Sequence, residues 1–302
     1  MKDSGGGSDA ATPLGLRTVG EISPIRQPLI ERSKGKSLSR AGAYWRIESG
    51  ALSPSKPRMA NLNPEIRIAD GQPVRNTLLL RIPDQEFSFL NPHLKLVRLE
   101  NAVCLQQEGG RIDSVYFLNG GIGSMVVETP DGKSVEVGVV GREDMIGLPL
   151  AAGLDEFTHS VVVQVPGDGF RVQADAMRQT LGSSPELNRL LLRRLAIRSV
   201  ELAQNAACNR LHDAKQRPAR WLLLIHDRLD SDVIRTTHDF LSKMVGTNRP
   251  TVTLAVRDLE RDGIIERSRA SISIKDRAKL EQQSCECYRL FRTFNSERGL
   301  RG

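Results

Sequence analysis

A short segment near the carboxyl end of the chain carries side chains that could read a nucleic-acid base pair. Its apolar residues recur at i, i+3, i+4 and i+7, which predicts a helix with one buried face: Val252, Ala255, Val256 and Leu259. Arg249, Pro250, Thr253, Leu254 and Arg257 remain on the opposite face. A guanidinium can bind guanine through two hydrogen bonds, threonine can bond to a base or a phosphate, and leucine suits the thymine methyl group. The chemistry indicated is major-groove recognition.

The residues before this segment predict a second helix and a tight turn. Thr236 or Thr237 can cap the first helix, because a threonine hydroxyl accepts a hydrogen bond from a free backbone N–H. Gly246 can adopt the left-handed conformation that ends a helix. Asn248 can cap the next helix, and Pro250 is tolerated in its first turn. Two helices separated by about three residues are typical of a helix-turn-helix.

A small hairpin follows, formed by Ile264–Arg267 and Ile272–Ile274, so the stretch has the layout of a winged helix-turn-helix. Arg267 and Arg269 near the hairpin tip are expected to contact phosphates. The predicted DNA-contacting set is Thr237, Thr247, Asn248, Arg249, Pro250, Thr251, Thr253, Leu254, Arg257, Arg267 and Arg269. The alternative is a surface helix packed on its own domain, with Arg257 paired to Glu260.

The stretch from Thr236 to Ile274 resembles the DNA-binding domain of the Crp/Fnr family of bacterial transcription regulators. The resemblance continues upstream in AACNRLHDAKQRPARWLLLIHDRL and downstream in IKDRAKLEQQSCECY, and it covers about three quarters of the chain. It implies an α+β fold: an N-terminal β-roll of the cyclic-nucleotide-binding type, a long dimerisation helix and a C-terminal winged helix-turn-helix. The relatives commonly have Arg-Gly at the wing tip, where this chain has Arg269-Ala270; alanine would be strained there if the turn needed a positive φ.

Length and composition limit the number of domains, the kinds of partner and the cellular compartment that we expect. A chain of 302 residues is expected to hold about two domains, and a net charge of +7 with a pI near 9.5 suits a polyanionic partner. Four cysteines show neither a CxxC pair nor a zinc-type histidine spacing, so we predict no disulfide framework and no metal site: Cys104, Cys208, Cys285 and Cys287. There is no apolar run of 18 residues and no signal-peptide core, so we expect a cytoplasmic protein without a membrane partner.

Four regions follow along the chain. Residues 1–76 are rich in Gly, Ser, Pro and Arg without periodicity, and we predict a disordered basic tail that could add phosphate affinity or be a plain solvated extension. Residues 77–182 show short alternating segments with glycine-rich turns, which predict a β-sandwich or barrel, the β-roll of the resemblance. Residues 183–211 form the predicted dimerisation helix. Residues 212–302 form the DNA-binding domain, which closes with one amphipathic helix from Asp276 to Phe294, on which Cys285 and Cys287 would face different sides.

The resemblance implies an effector pocket in the β-roll. Cyclic-AMP receptors hold the cyclic phosphate with a Gly-Glu turn and an Arg-Ser or Arg-Thr pair, and the matching positions here are Gly141, Glu143, Asp144, His159 and Ser160. Histidine replaces the arginine, and a neutral imidazole is a poorer phosphate clamp than a guanidinium. We therefore expect no cyclic-AMP binding of the receptor type. We also predict no iron–sulfur cluster and no other cofactor, and the effector is unknown or absent.

The long helix carries a row at 3-4-3-4 spacing with one polar interruption, as in the seam of a two-helix coiled coil: Leu192, Leu195, Ser199, Leu202 and Ala206. A second apolar row lies beside it, so a single chain would leave one row uncovered. The spacing predicts a homodimer, and the alternative is a buried helix of a monomer.

These features predict a sequence-specific transcription regulator. It is expected to bind a near-palindromic operator as a homodimer through helix 249–261. Double-stranded DNA and RNA polymerase are the further expected partners. The alternative is a small-molecule or nucleotide-sensing module whose helix-turn-helix makes protein contacts. No nucleophile elbow, P-loop or HExxH motif occurs, so we predict no enzyme activity.

Overall fold

The computed structural model describes residues 66–132 and 134–293. Most of the predicted tail lies outside this range. The prediction that the tail extends to residue 76 is wrong for residues 66–76, which form the two-residue strands β1 (Ile68–Ala69) and β2 (Gln72–Pro73). The reason is packing: Ala69 and Val74 are buried in the core of the first domain.

The first domain is built from two antiparallel four-stranded sheets. One sheet has the order β3-β10-β5-β8, and the other has the order β4-β9-β6-β7. The strands are β3 (Lys95–Leu99), β4 (Cys104–Gln106), β5 (Ser114–Leu118), β6 (Ile122–Glu128), β7 (Ser134–Val140), β8 (Met145–Ile146), β9 (Ser160–Val165) and β10 (Gly167–Gln173). The sheets share a core that contains Leu99 and Leu118 from one and Met125, Val161 and Val163 from the other. This is the predicted β-roll, and the expected fold class is confirmed.

Helices flank the β-roll and lead out of it. Short helices are α1 (Asp84–Leu90), α2 (Ala174–Ser183) and two 3-10 turns at Asn91–His93 and Leu148–Ala152. The long helix α3 (Pro185–Leu211) begins at a proline, which is tolerated in the first turn of a helix. Glu86 on α1 accepts hydrogen bonds from the backbone N–H groups of Glu186 and Leu187, so a buried carboxylate caps the start of α3.

The carboxyl-terminal domain contains α4 (Gln216–His226), α5 (His238–Met244) and α6 (Arg249–Arg261). Its sheet has three strands rather than the predicted two: β11 (Val233–Arg235) pairs with β13 (Ser271–Ile274), which also pairs with β12 (Ile265–Arg267). Three residues are too few to show an alternating pattern, so the partner strand β13 makes β11 recognisable only in the fold. Ala270 at the wing tip has no positive φ, which removes the expected strain.

The predicted closing helix from Asp276 to Phe294 is wrong as a single element. It is two helices, α7 (Arg277–Gln283) and α8 (Cys287–Thr293), separated by Ser284–Glu286. Both pack on α4, and α8 also contacts α3. The break turns Cys285 and Cys287 into the core, where each is buried.

Candidate DNA-binding surface and effector cavity

The turn between α5 and α6 is fixed by side-chain caps at both helix starts. The Thr237 hydroxyl accepts a hydrogen bond from Phe240 N at 3.1 Å, and Asn248 Oδ1 accepts one from Thr251 N at 2.9 Å. The Thr251 hydroxyl also donates to Asn248 Oδ1 at 2.8 Å. Gly246 has φ +60°, the left-handed geometry that ends α5. Thr237 thus holds the first turn of α5, and Asn248 with Thr251 holds the first turn of α6.

Helix α6 divides into two faces, as its periodicity predicts. The inward face is buried in the core of the domain: Val252, Ala255, Val256 and Leu259. Arg249, Pro250, Leu254 and Arg257 are exposed on the other side. Leu254 is 42% exposed, so its side chain lies on the surface of the domain rather than in its core.

Thr253 contacts a histidine that is not among the residues predicted from the sequence. His238 Nδ1 lies 3.1 Å from Thr253 Oγ1. Burial, followed by the charges of Arg267 and Arg249, lowers the pKa of His238, so its imidazole is neutral at pH 7. The one sequence feature that could have indicated this contact is that His238 begins α5, the helix that packs on α6.

Three arginines on this surface have no carboxylate partner among the described residues: Arg249, Arg257 and Arg269. Arg267 differs, because its Nε lies 2.6 Å from Glu260 Oε2. That contact also holds the pKa of Glu260 below its usual value. The alternative pair between Arg257 and Glu260 is therefore not the one that forms. Arg249, Arg257 and Arg269 are available to phosphates or bases, whereas Arg267 must share its charge with Glu260.

Thr247 lies half-buried in the turn, where its backbone N–H donates to Ser242 O at 3.1 Å. The wing tip places Arg269 on an exposed turn closed by the Ser268 and Ser271 hydroxyls, 2.7 Å apart. The predicted contact residues therefore lie in the turn and its flanking caps, on the outward side of α6 and in the wing.

A cavity of about 240 Å³ lies between the β-roll and α3. Its lining is largely apolar, with Met125, Val140, Leu195 and Leu202 among its walls. Of the predicted effector residues, Asp144 and His159 line it, whereas Gly141, Glu143 and Ser160 do not. Ser160 Oγ instead accepts a hydrogen bond from Glu108 N at 3.1 Å.

Asp144 belongs to a buried ion-pair cluster that closes one side of this cavity. Arg194 Nε lies 2.9 Å from Asp144 Oδ2, and Arg198 pairs with the same oxygen. Glu201 Oε2 lies 2.9 Å from Arg194 and 3.2 Å from Arg198. Arg198 also donates to Val139 O at 2.8 Å. This cluster is not predicted from the sequence, although Arg194, Arg198 and Glu201 share one helix face at i, i+4 and i+7.

The cavity presents little charge to an anion. Arg198 reaches it, but its guanidinium is engaged by Asp144 and Glu201. Burial lowers the pKa of His159, so this ring is neutral at pH 7. A cyclic phosphate would meet no free cation there among the residues that the structure describes.

Glu143 has a different partner. It pairs with Arg228, which follows α4, and their Oε1 and Nε atoms are 2.7 Å apart. Burial alone would raise the pKa of Glu143, but the Arg228 charge lowers it below the usual value. Trp221 Nε1 on α4 likewise donates to Glu136 Oε1 on β7 at 2.9 Å. These contacts join the carboxyl-terminal domain to the β-roll, and the Glu143–Arg228 pair is one of them.

The predicted dimer row runs along a partly uncovered face of α3. Leu192 is 43% exposed, and Ser199 and Ala206 are also exposed. Leu195 and Leu202 are half-buried and contribute to the cavity wall. No described helix is both long and apolar enough to span a bilayer.

Two models of known protein families match this chain, one over the β-roll and one over the carboxyl-terminal domain. The model of the cyclic nucleotide-binding domain matches residues 96–184, and the Crp-like helix-turn-helix domain matches residues 216–283. A CRP-like cAMP-activated global transcriptional regulator of Mycobacterium tuberculosis is 27% identical over 184 residues, 59% of this chain and 82% of the relative.

Solved structures share the fold. FixK2 from Bradyrhizobium japonicum superimposes with a TM-score of 0.56 at 17% identity, covering 64% of this chain and 98% of that one. A Crp/Fnr-family regulator from Eubacterium rectale gives 0.54 at 15% identity, covering 67% and 94%. With a β-roll, a long helix and a Crp-like helix-turn-helix in this order, the chain belongs to the Crp/Fnr family of DNA-binding transcription regulators.

Proposed function

We propose that this regulator binds a near-palindromic operator as a homodimer, with one α6 from each subunit in successive major grooves. The observation that carries the proposal is the exposed face of α6, where Arg249 and Arg257 flank Leu254 and have no carboxylate partner among the described residues. Arginine, threonine and leucine together suit a site that contains guanine and thymine.

The dimer follows from α3. Its 27 residues extend for about 40 Å, and one side carries a row that is partly exposed on a single chain, at Leu192, Ser199 and Ala206. Pairing two such helices around a two-fold axis would bury Leu192, Ser199 and Ala206 against their counterparts. The same axis would set the two α6 helices about 34 Å apart, the repeat of one turn of DNA.

The first experiment measures fluorescence anisotropy of labelled DNA from the upstream region of the protein's own gene. Arg249→Ala is expected to lose about 1–3 kcal/mol at the cognate site and to lose discrimination at one base pair. Arg261→Ala is the matched control, because Arg261 is exposed on the same helix but pairs with Asp258 and Asp262. It is expected to change affinity less than twofold.

Two outcomes would contradict this function. An equal loss of affinity for cognate and random DNA in the Arg249 variant would exclude base reading by that side chain. No binding to any genomic fragment would favour the alternative, a sensing module whose helix-turn-helix contacts proteins.

We further propose that cyclic AMP is not the effector and that the cavity beside α3 takes a less charged ligand. The neutral His159 and the internally paired Arg198 support this, because a buried phosphate needs an available cation. Isothermal titration with cyclic AMP is expected to give no heat of binding and no change in operator affinity. Saturable binding of cyclic AMP at micromolar concentration would refute this proposal.

We also propose that the regulator acts in the cytoplasm through contact with RNA polymerase. In vitro transcription from the operator tests that contact.

A further inference from the structure

Three cysteines and one histidine converge where α3 ends and the carboxyl-terminal segment folds back. Cys208 and His212 come from the end of α3, and Cys285 and Cys287 come from the junction between α7 and α8. One ligand atom from each of the four lies within 4.8 Å of all the others. Cys208, Cys285 and Cys287 are buried and His212 is partly exposed.

Two of the distances between these atoms are close to those between the ligands of a single metal ion. Cys208 Sγ lies 3.5 Å from Cys285 Sγ, and Cys287 Sγ lies 3.3 Å from His212 Nδ1. A tetrahedral zinc ion with its usual bond lengths would separate two sulfur ligands by about 3.8 Å and a sulfur from a nitrogen by about 3.5 Å. Ligands of an iron–sulfur cluster would stand farther apart, because each binds a different iron atom.

Neighbouring side chains orient two of the four ligands. His212 Nε2 lies 3.0 Å from Glu286 Oε1, which leaves Nδ1 directed at the cysteines. Carboxylates in this position are the usual outer partners of a metal-binding histidine, and they fix its tautomer and orientation. Gln204 Nε2 donates a hydrogen bond to Cys287 Sγ at 3.0 Å, a contact that stabilises a thiolate.

The chain forms this cluster through two local features. Cys208 and His212 are four residues apart, so they share one face of the last turn of α3, and His212 is the residue at which that helix ends. The break between α7 and α8 then places Cys285 and Cys287 on either side of Glu286, whose carboxylate contacts His212. A continuous helix would have separated the two cysteines.

We propose that Cys208, His212, Cys285 and Cys287 bind one Zn²⁺ ion in a closed structural site. Three thiolates and one imidazole complete a tetrahedron and leave no position for substrate, as in structural zinc sites generally. The ion would join the end of the dimerisation helix to α7 and α8, which pack on α4 of the DNA-binding domain. It would thereby hold that domain in a set orientation on α3.

The test measures metal content of the full chain, purified under reducing conditions from zinc-supplemented cells. Inductively coupled plasma mass spectrometry is expected to find one zinc per chain in the natural sequence. The double variant C285S/C287S is expected to contain almost none. Cys104→Ser is the matched control, because Cys104 is exposed on β4 and is not one of the four clustered residues, and this variant is expected to keep the full content.

Two further variants separate metal loss from misfolding. His212→Asn replaces a partly exposed ligand at a helix end and is expected to keep the circular dichroism spectrum while losing zinc. Glu286→Gln leaves all four ligands in place and is expected to weaken zinc affinity by about 10–100-fold, measured by chelator competition. Cobalt substitution of the natural chain is expected to give the intense visible bands of a tetrahedral thiolate site.

Three results would overturn the proposal. One is zinc content that the cysteine and histidine substitutions leave unchanged. Another is a weak octahedral cobalt spectrum without thiolate charge transfer. The third is a Cys208–Cys285 disulfide in peptide maps of protein that takes up no metal after reduction, which would assign the pair to redox chemistry instead. None of these readouts depends on operator binding.

Discussion

Replacing Glu136 with glutamine tests how the DNA-binding domain is held on the β-roll. Glu136 on β7 is buried, accepts a hydrogen bond from Trp221 Nε1 at 2.9 Å and accepts another from the Ser124 hydroxyl. The charges of Arg220 and Arg228 lower its pKa, but by less than burial raises it. Burial dominates and raises the pKa of Glu136 from 4.5 to about 7.

The sign of the pH dependence follows from that shift. Between pH 4.5 and about 7 the folded protein keeps the Glu136 proton, whereas the unfolded chain has lost it. The contribution of Glu136 to the free energy of unfolding is therefore fully present below pH 4.5 and is lost as the pH rises through about 7. A shift of this size corresponds to about 3 kcal/mol at pH 8, since each pKa unit is worth about 1.4 kcal/mol.

Glutamine keeps an acceptor oxygen for the Trp221 indole but has no charge to bury. In urea denaturation, Glu136→Gln is expected to raise the free energy of unfolding by up to about 3 kcal/mol at pH 8 and by little at pH 5. Glu266→Gln is the control, because Glu266 is exposed on the wing and pairs with Lys275. Its effect is expected to be small at both pH values.

A second observable reports the same ionisation directly. In a Trp45→Phe background, Trp221 is the remaining tryptophan, and its emission is expected to titrate with a midpoint near pH 7. The titration should vanish in the Glu136→Gln variant. Equal effects of the glutamine at pH 5 and pH 8, or a flat emission profile in the parent, would refute the assignment of a buried, proton-binding carboxyl at this interface.

Two other variants probe the buried charges and the dimer. Asp144→Asn removes one carboxylate from the cluster with Arg194 and Arg198, and it is expected to cost about 3–5 kcal/mol of unfolding free energy by urea denaturation. A cost below 1 kcal/mol would mean that the arginines re-pair or reach water. Leu192→Glu places a charge in the exposed α3 row and is expected to give a monomer in light scattering with weakened operator binding. Leu290→Glu, on α8, is the exposed control, and a dimer in the Leu192 variant would exclude this row as the interface.

Local signals made the recognition helix predictable to its bounds. Asn248 and Pro250 mark its start, and four apolar residues at helical period mark its buried face, so no distant contact is needed to recognise α6. The alternating segments of the β-roll were predictable as strands for the same reason, whereas β4 and β8 have only three and two residues and show no such pattern. Strand β11 was missed because only pairing with β13 defines it.

The charged and sulfur-containing sites could not be predicted in this way. Arg194, Arg198 and Glu201 are polar residues on a long helix, which usually indicates a solvated face, and Asp144 becomes their partner only through the fold. The helix break at Ser284–Glu286 contains neither glycine nor proline, so the sequence carries no stop signal there. Cys208 and Cys285 are 77 residues apart and meet only in the folded chain.

The strands that hold the DNA-binding domain also border the cavity. Met125 of β6 and Val140 of β7 line it, while Ser124 and Glu136 of the same strands contact Met244 and Trp221 of the other domain. Under the proposed function, a ligand in the cavity would change operator binding only if it bound two arrangements of β6 and β7 with different affinities. The size of that difference would set the largest possible change. Strands β6 and β7 connect the two sites directly, because alternation along a strand places one side chain toward the cavity and its neighbour toward the docked helix. The largely apolar cavity and the polar interface therefore lie on opposite faces of the strand pair β6 and β7. Only the thickness of one sheet separates a ligand in the cavity from the docked helix.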